Sequence, residues 1–274
     1  MKKLNELQIG CIGCGMMGGA LMEGIAKKFV PGNIFVTDAD ISKAETFASR
    51  VGVHALASNK DVVLKADVLF LAVKPMYVKS VLSEIRGALK ENTLLVSMAA
   101  GVTLDTLKSA LGDEGAKTHI IRIMPNLPAT VGEAMIGISP SENVSADESG
   151  CVKSLLEATG KAEIVCEKLM DGVTAVSGSG PAYAFLFIEA LADAAVRFGI
   201  PRSQAYIYAA QTLRGAATMA LEDGSSISAL KDAVCSPAGT TIEGVIALEK
   251  NGFRNAVIEA ATAAFEKSVE LGKK

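Results

Sequence analysis

Glycines at positions 13, 15 and 18 follow an apolar run, Leu7 to Ile12, and open an amphipathic one, Met17 to Phe29. A G-x-G-x-x-G spacing between a strand and a helix is the setting in which a dinucleotide pyrophosphate is held. Gly13 permits the tight turn. Gly15 has no Cβ to keep a pyrophosphate off the backbone, and Gly18 lets the helix pack on the strand. The helix start adds free N–H groups and a partial positive charge. The plain alternative is a glycine-rich turn that binds nothing; the flanking strand and helix argue against it.

A bound nicotinamide implies hydride transfer, so the next question is what exchanges the hydride. Oxidation of an alcohol normally needs a base such as His or Lys beside the hydroxyl. The only histidines are His54 and His119, and no lysine occurs between Lys168 and Lys231. His54 falls near a short strand far from the glycine turn. His119 opens a strand at its amino end, so both histidines read as structural. Lys74 precedes a proline, which suggests a role in shaping the backbone. Reduction of a C=N bond asks for less, because the protonated imine is already electrophilic and chiefly needs positioning. Two small-residue stretches suit that task. Ser177-Gly178-Ser179-Gly180-Pro181 reads as a turn into a helix start, an anion nest. Ser236-Pro237-Ala238-Gly239-Thr240-Thr241 reads as a second. Ordinary capping by Ser or Thr explains one hydroxyl at each, but not the clusters.

These groups need a scaffold. Short β-rich runs at 33–38, 51–53, 67–73, 93–98 and 119–124 alternate with helical patterns, two of them capped by Ser58 and Thr103. That alternation predicts a doubly wound parallel sheet with helices on both faces. Its ligand edge collects the glycine turn, Asp38-Ala39-Asp40, Lys74-Pro75-Met76 and Ala99-Ala100-Gly101. A helix at 147–159 and a strand at 162–165 follow, and beyond them only helical patterns. The expected domains are residues 1–165, Rossmann-like, and 166–274, all-helical. Residues 182–188 and 190–192 are apolar on nearly every helical face, and such a helix must be covered all round. The remaining helices are too few and short to cover it, so a second subunit is expected.

Composition narrows the class. The chain has 274 residues, half of them hydrophobic, 5% aromatic and no Trp. That length suggests two domains. A net charge of −3 without a basic block makes nucleic acid an unsuitable partner. The longest apolar run, Ala182 to Val196, is interrupted by Glu189 and Asp193, so no membrane span is expected. Lys2 and Lys3 precede a stretch that carries Glu6 and then becomes the phosphate loop, so export is not expected either. Five scattered cysteines (Cys11, Cys14, Cys151, Cys166 and Cys235) fit a reducing cytoplasm. Cys11 and Cys14 spell C-x-x-C, but no second pair completes a zinc site, and no metal is expected.

The chain resembles the pyrroline-5-carboxylate reductase family over nearly its whole length. The likeness is carried by Ile12 to Gly18, Ala72-Val73-Lys74-Pro75, Ala99-Ala100-Gly101-Val102 and Met124-Pro125-Asn126. It continues through Ser177 to Tyr183 and Ser236 to Thr241. The resemblance implies NAD(P)H-dependent reduction of 1-pyrroline-5-carboxylate to L-proline. It implies a Rossmann domain, a helical dimerisation domain and, in many members, assembly of dimers into decamers. It also implies site residues. Ile12, Gly13, Cys14, Gly15, Met16, Met17 and Gly18 would hold the pyrophosphate. Asp38 would meet the adenosine ribose, and Asn59 would touch the cofactor. Ala72, Val73, Lys74 and Pro75 would line the nicotinamide side with Ala99, Ala100 and Gly101. Ser236, Gly239, Thr240 and Thr241 would take the substrate carboxylate, with Thr241 also near the ring nitrogen. Glu167 would lie close to the substrate. Two residues depart from the family pattern: Ala238 stands where Gly is usual, and Leu127 where Thr is common. Ala at a left-handed position would be strained, so either its φ is negative or the pocket is altered.

Two other functions remain open on the residues alone. One is another two-domain imine or ketone reductase. The other is a regulator that binds NAD(P)H without turnover, against which the anchoring clusters argue.

Overall fold

The computed structural model describes residues 3–272. Strands β1 (Ile9–Ile12), β2 (Ile34–Thr37), β3 (His54–Ala55), β4 (Val68–Leu71), β5 (Leu94–Ser97) and β6 (His119–Met124) lie in the order 3-2-1-4-5-6. Each pairs in parallel with its neighbours in that set. This is the doubly wound dinucleotide-binding order. Two more strands extend the sheet beyond β6. β7 (Ala134–Pro140) runs antiparallel to β6, and β8 (Gly160–Ile164) runs parallel to β7.

The apolar strands are explained by burial on both faces. In β4, Val68 and Phe70 join one core layer, with Leu21, Ile25 and Phe47. Leu69 and Leu71 join the other, with Val62, Leu82 and Leu107. The first layer is covered by α1 (Met16–Lys28), α2 (Ile41–Val51) and α6 (Ala146–Leu156), the second by α3 (Asn59–Lys65), α4 (Pro75–Ile85) and α5 (Leu104–Leu111). Ser58 and Thr103 cap α3 and α5 as expected, accepting from Asp61 N and Thr106 N.

Three expectations are corrected. The brief strand at Val51-Gly52-Val53 is the end of α2, closed by Gly52 at φ 83°, and the pairing starts at His54. β7 has no counterpart in the sequence reading, because Gly137 and Pro140 break its alternation. The third concerns a membrane-length helix. Helical residues run from Glu167 to Arg197, 31 in all, long and apolar enough to cross a membrane by length and composition. The turn expected at Ser177 to Pro181 does not interrupt it, because helical turns at Glu167–Leu169, Met170–Val173 and Thr174–Gly178 lead into the helix that begins at Gly180 and lengthen the apolar run.

By packing, the chain divides after Ser179 instead of after residue 165. One unit runs through Ser179 and resumes at Ala264; the other is Gly180–Ala263. The reason lies in α7 (Met170–Val173). Met170 is fully buried, and its sulfur and Val173 stand directly over Gly137 of β7. Asp171 also accepts a 2.6 Å hydrogen bond from Ser268 near the chain's end.

The second unit comprises α8 (Gly180–Arg197), α9 (Arg202–Glu222), α10 (Ile227–Val234), α11 (Thr240–Lys250) and the first part of α12 (Phe253–Gly272). Its buried hydrophobic residues are only Ala192, Ala205 and Ala209, while Phe185 and Leu186 of α8 stay exposed.

Candidate active site

The glycine turn has the shape its spacing predicts. Gly13 has φ 104°, and a Cβ there would strike the carbonyl oxygen of Ala72. A Cβ on Gly18 would strike the carbonyl oxygen of Gly13 and come within 2.7 Å of the Ala72 methyl. A Cβ on Gly15 would meet nothing within 4 Å. That open space lies at the start of α1, whose N-cap is Gly15 and which no side chain caps. Its first amides therefore have no intrahelical or capping partner. The cradle fits a pyrophosphate.

Asp38 follows the last residue of β2. Its Oδ2 accepts a 2.8 Å hydrogen bond from Cys14 N inside the turn, and its Oδ1 accepts from Asp40 N at 3.1 Å. Burial, then the charge of Asp38, pushes the Cys14 thiol up to about 12. Cys11 lies wholly buried in β1, and burial raises its thiol as well, helped by Cys14 and Asp38. Both sulfurs donate to backbone carbonyls, of Thr37 and Gly13. The C-x-x-C pair thus packs as protonated thiols.

The parallel pairing brings the loops after β4 and β5 to the same edge as the glycine turn. Ala72 N donates to Ile12 O at 2.8 Å, and Lys74 and Pro75 form the N-cap and first turn of α4. Gly101 has φ 73°, and Leu271 lies beside its Cα. Asn59 opens α3, and its side-chain amide nitrogen donates to Glu84 of α4 at 2.9 Å. His54 stacks on Phe35, and Nδ1 of His119 lies 2.7 Å from Glu148.

Glu167 has one oxygen already engaged. Oε1 accepts from Leu104 N at 2.7 Å and from Arg122 Nη1 at 3.2 Å. Sequence reasoning missed Arg122, although a lone charge in the apolar strand His119–Met124 was a signal. It quoted Asn126 only as part of a motif. The buried Asn126 side chain accepts from Met135 N and donates to Ser177 O.

Of the two small-residue stretches, one is not a nest. Thr174–Gly178 forms a π-type turn, in which Ser179 N donates to Thr174 O. The backbone there is already helical, and no free helix start remains. The other is as expected. Gly239 N donates to Ser236 O at 3.0 Å, closing a turn that delivers the chain to α11. Gly239 is the N-cap of α11 and no side chain caps it, so the amides of Thr240 and Thr241 stay available. A Cβ on Gly239 would collide with the hydroxyl of Ser236. Ala238 has φ 53°, the only positive value outside glycine among the described residues. Thr241 also lines an apolar cavity of about 770 Å³ with Tyr183, Leu186, Val245 and Phe253.

The chain is similar to known proteins in sequence and in fold. A family model described as pyrroline-5-carboxylate reductase dimerisation matches residues 167–271. One described as NADP oxidoreductase, coenzyme F420-dependent, matches residues 8–101. The pyrroline-5-carboxylate reductase of Escherichia coli (strain K12) is 47% identical over 270 residues, 98% of this chain and 99% of that one. The chain belongs to the pyrroline-5-carboxylate reductase family. Two solved structures of this family extend the likeness to three dimensions. That from Coxiella burnetii superposes with a TM-score of 0.92 at 37% identity, covering 98% of this chain and 100% of the other. That from Plasmodium falciparum, with NADP bound, gives 0.86 at 34%, with the same coverage. The dimerisation match spans the under-buried helices of the second unit, so a dimerisation domain is present.

Proposed function

We propose that this chain reduces 1-pyrroline-5-carboxylate to L-proline with NAD(P)H, the last step of proline biosynthesis. One observation carries the reading. A single chain holds an open dinucleotide cradle at Gly15 and an uncapped, hydroxyl-lined helix start at Ser236–Thr241. The histidines are spent on Phe35 and Glu148. That inventory suits an imine, which needs holding more than it needs a base.

NAD(P)H, when bound, supplies a hydride to the ring carbon of the C=N bond, and a proton ends on the ring nitrogen. Everything else falls to the chain's own groups. The amides at the start of α1 hold the pyrophosphate, and Asp38 faces the ribose. Ala72 to Pro75 and Ala99 to Gly101 line the nicotinamide side, and Asn59 keeps its carbonyl oxygen for the cofactor. The amides of Thr240 and Thr241, with the Ser236 and Thr240 hydroxyls, bind the carboxylate at the positive end of α11. The Thr241 hydroxyl holds the ring nitrogen in register and is the catalytic contact. Glu167 is placed near the substrate by family likeness alone.

The partners are then small molecules and a second copy of the chain. Dimers assemble further, into decamers. The long apolar helix is covered by a subunit and not by lipid, and the enzyme works in the cytoplasm. Its five cysteines are all free. Purified protein with racemic pyrroline-5-carboxylate should oxidise NADH or NADPH, followed at the nicotinamide absorbance. Nucleotide binding without turnover would instead mark a regulator. Turnover of other imines but not this one would mark a different reductase.

A further inference from the structure

Arg122 stands in β6 with its side chain 4% exposed. Its Nε is buried and has no hydrogen-bond partner among the described residues, so the guanidinium rests on its single contact with Glu167. A buried charge is costly, and an apolar side chain of similar size would often serve packing as well or better. What the charge secures is the orientation of Glu167. The Glu167 oxygen that Arg122 holds is the one that accepts from Leu104 N. Leu104 is the first residue of α5, and α5 follows the Ala99–Gly101 loop with only Val102 and Thr103 between. The loop is thus held at its far end by a carboxylate that a buried arginine keeps in place. Gly101, its last residue, is backed by Leu271.

We infer that Arg122 and Glu167 are positioning residues: Arg122 fixes Glu167, and Glu167, through the Leu104 amide, fixes the loop that receives the nicotinamide end of the nucleotide. The inference rests on the proposed reading of Ala99–Gly101 as cofactor-lining. It gives Glu167 a task different from the substrate contact that family likeness implies. Neither residue needs to touch a ligand to act. Displacing a loop by a fraction of an ångström misaligns hydride donor and acceptor, to which rates are steeply sensitive.

The test compares Glu167→Ala, Glu167→Gln, Arg122→Met and Arg122→Lys in the full-length enzyme. The readouts are NAD(P)H affinity by direct fluorescence titration, kcat, and KM for pyrroline-5-carboxylate. Glu167→Ala should weaken nucleotide binding about tenfold and lower kcat by a similar factor. KM for the imine should move less than about twofold, since the carboxylate receptor is elsewhere. Glu167→Gln keeps an oxygen for Leu104 N and should retain most of the affinity. Arg122→Met should imitate Glu167→Ala, and Arg122→Lys should recover part of the loss. If Arg122→Met does not fold, the contrast between the two Glu167 variants still decides. A rise in the imine KM with unchanged nucleotide affinity would make Glu167 a substrate contact and overturn the inference. A fall in melting temperature alone would reduce the pair to packing and overturn it too. A wild-type enzyme that binds neither nucleotide would remove the loop reading, and the inference with it.

Discussion

The carboxylate of Asp38 accepts a 2.8 Å hydrogen bond from the backbone N–H of Cys14, joining the end of β2 to the inside of the glycine turn. This bond keeps a negative charge where the adenosine ribose is expected. A carboxylate there accepts from a free 2′-hydroxyl and repels a 2′-phosphate. The nearby cations do not offset it, because Lys43 is paired with Asp40 at 3.7 Å and Arg50 with Glu23 at 2.7 Å. NADH should therefore work at least as well as NADPH, compared as kcat/KM at one salt concentration. Asp38→Ser with Ala39→Arg should shift the ratio toward NADPH. Both absolute affinities should fall, since the Cys14 amide loses its partner. A strong NADPH preference in the wild type would mean that Asp38 acts only as a brace for the turn.

Burial, helped by the same carboxylate, keeps the neighbouring thiol protonated. A thiol reacts as its thiolate, and burial with the Asp38 charge pushes Cys14 to about 12. Cys11 is raised too. At pH 7–8 neither should be alkylated by iodoacetamide in the native enzyme, while the exposed Cys166 should react. Peptide mass spectrometry after a timed pulse measures this. Rapid labelling of Cys14 would show that the turn opens in solution.

Most of the Rossmann half was readable from sequence because its signals are local. Val68 to Leu71 is apolar on both faces, Ser58 and Thr103 cap by contacts within three residues, and each glycine of the turn has one steric task. What was not readable depends on distant partners. β7 exists because β6 and β8 flank it, and its own Gly137 is small only because α7 crosses there. Ser177 to Pro181 has the composition of an anion-binding turn. Yet Asn126 and Met135 engage Ser177, and the backbone winds into a π-type turn. Glu167 is similar: no spacing in the sequence relates it to Arg122 or Leu104. In the substrate stretch, glycine scarcity at Ala238 was legible, but not whether the backbone would bend to suit alanine.

It does not bend. Ala238 holds φ 53°, where an L-residue costs roughly 1–2 kcal/mol. Glycine removes that strain but frees the unfolded chain by about 0.4–1 kcal/mol. Ala238→Gly should therefore be stabilising by about 0.5–1 kcal/mol, a rise in Tm of about 1–4 °C for a chain of this size. Ordinarily Ala to Gly destabilises. Calorimetry on the variant decides, with Ala238→Val expected to lower Tm. A drop in Tm for the glycine variant would show that the turn's strain is relieved by neighbours.

The turn that Ala238 shapes leads into Thr241, which gives the sharpest test of the substrate site. Thr241→Ala leaves the α11 amides in place and removes one hydroxyl. A hydrogen bond to a charged group contributes roughly 1.5–3 kcal/mol. The value of kcat/KM should fall about ten- to a hundredfold, and the nucleotide Kd should barely change. Full activity in the variant, or a loss confined to nucleotide binding, would relocate the site.

The last expectation concerns α8, whose exposed side chains need a cover. Leu186 is 65% exposed and Phe185 57%, in a helix whose one buried residue is Ala192. An exposed apolar face of this kind is stable in water only when another surface removes it from solvent. The region falls within the match to a dimerisation family, and a two-fold dimer covers one patch with its own copy. Leu186 and Thr241 line one apolar cavity, so covering that surface and completing the proposed substrate site are coupled. Leu186→Asp should yield a species smaller than wild type by light scattering and should lose activity along with assembly. Mixing in fresh wild-type subunits should not restore the variant's own sites. A wild-type chain that remains a stable, active monomer at micromolar concentration would sink this account of α8.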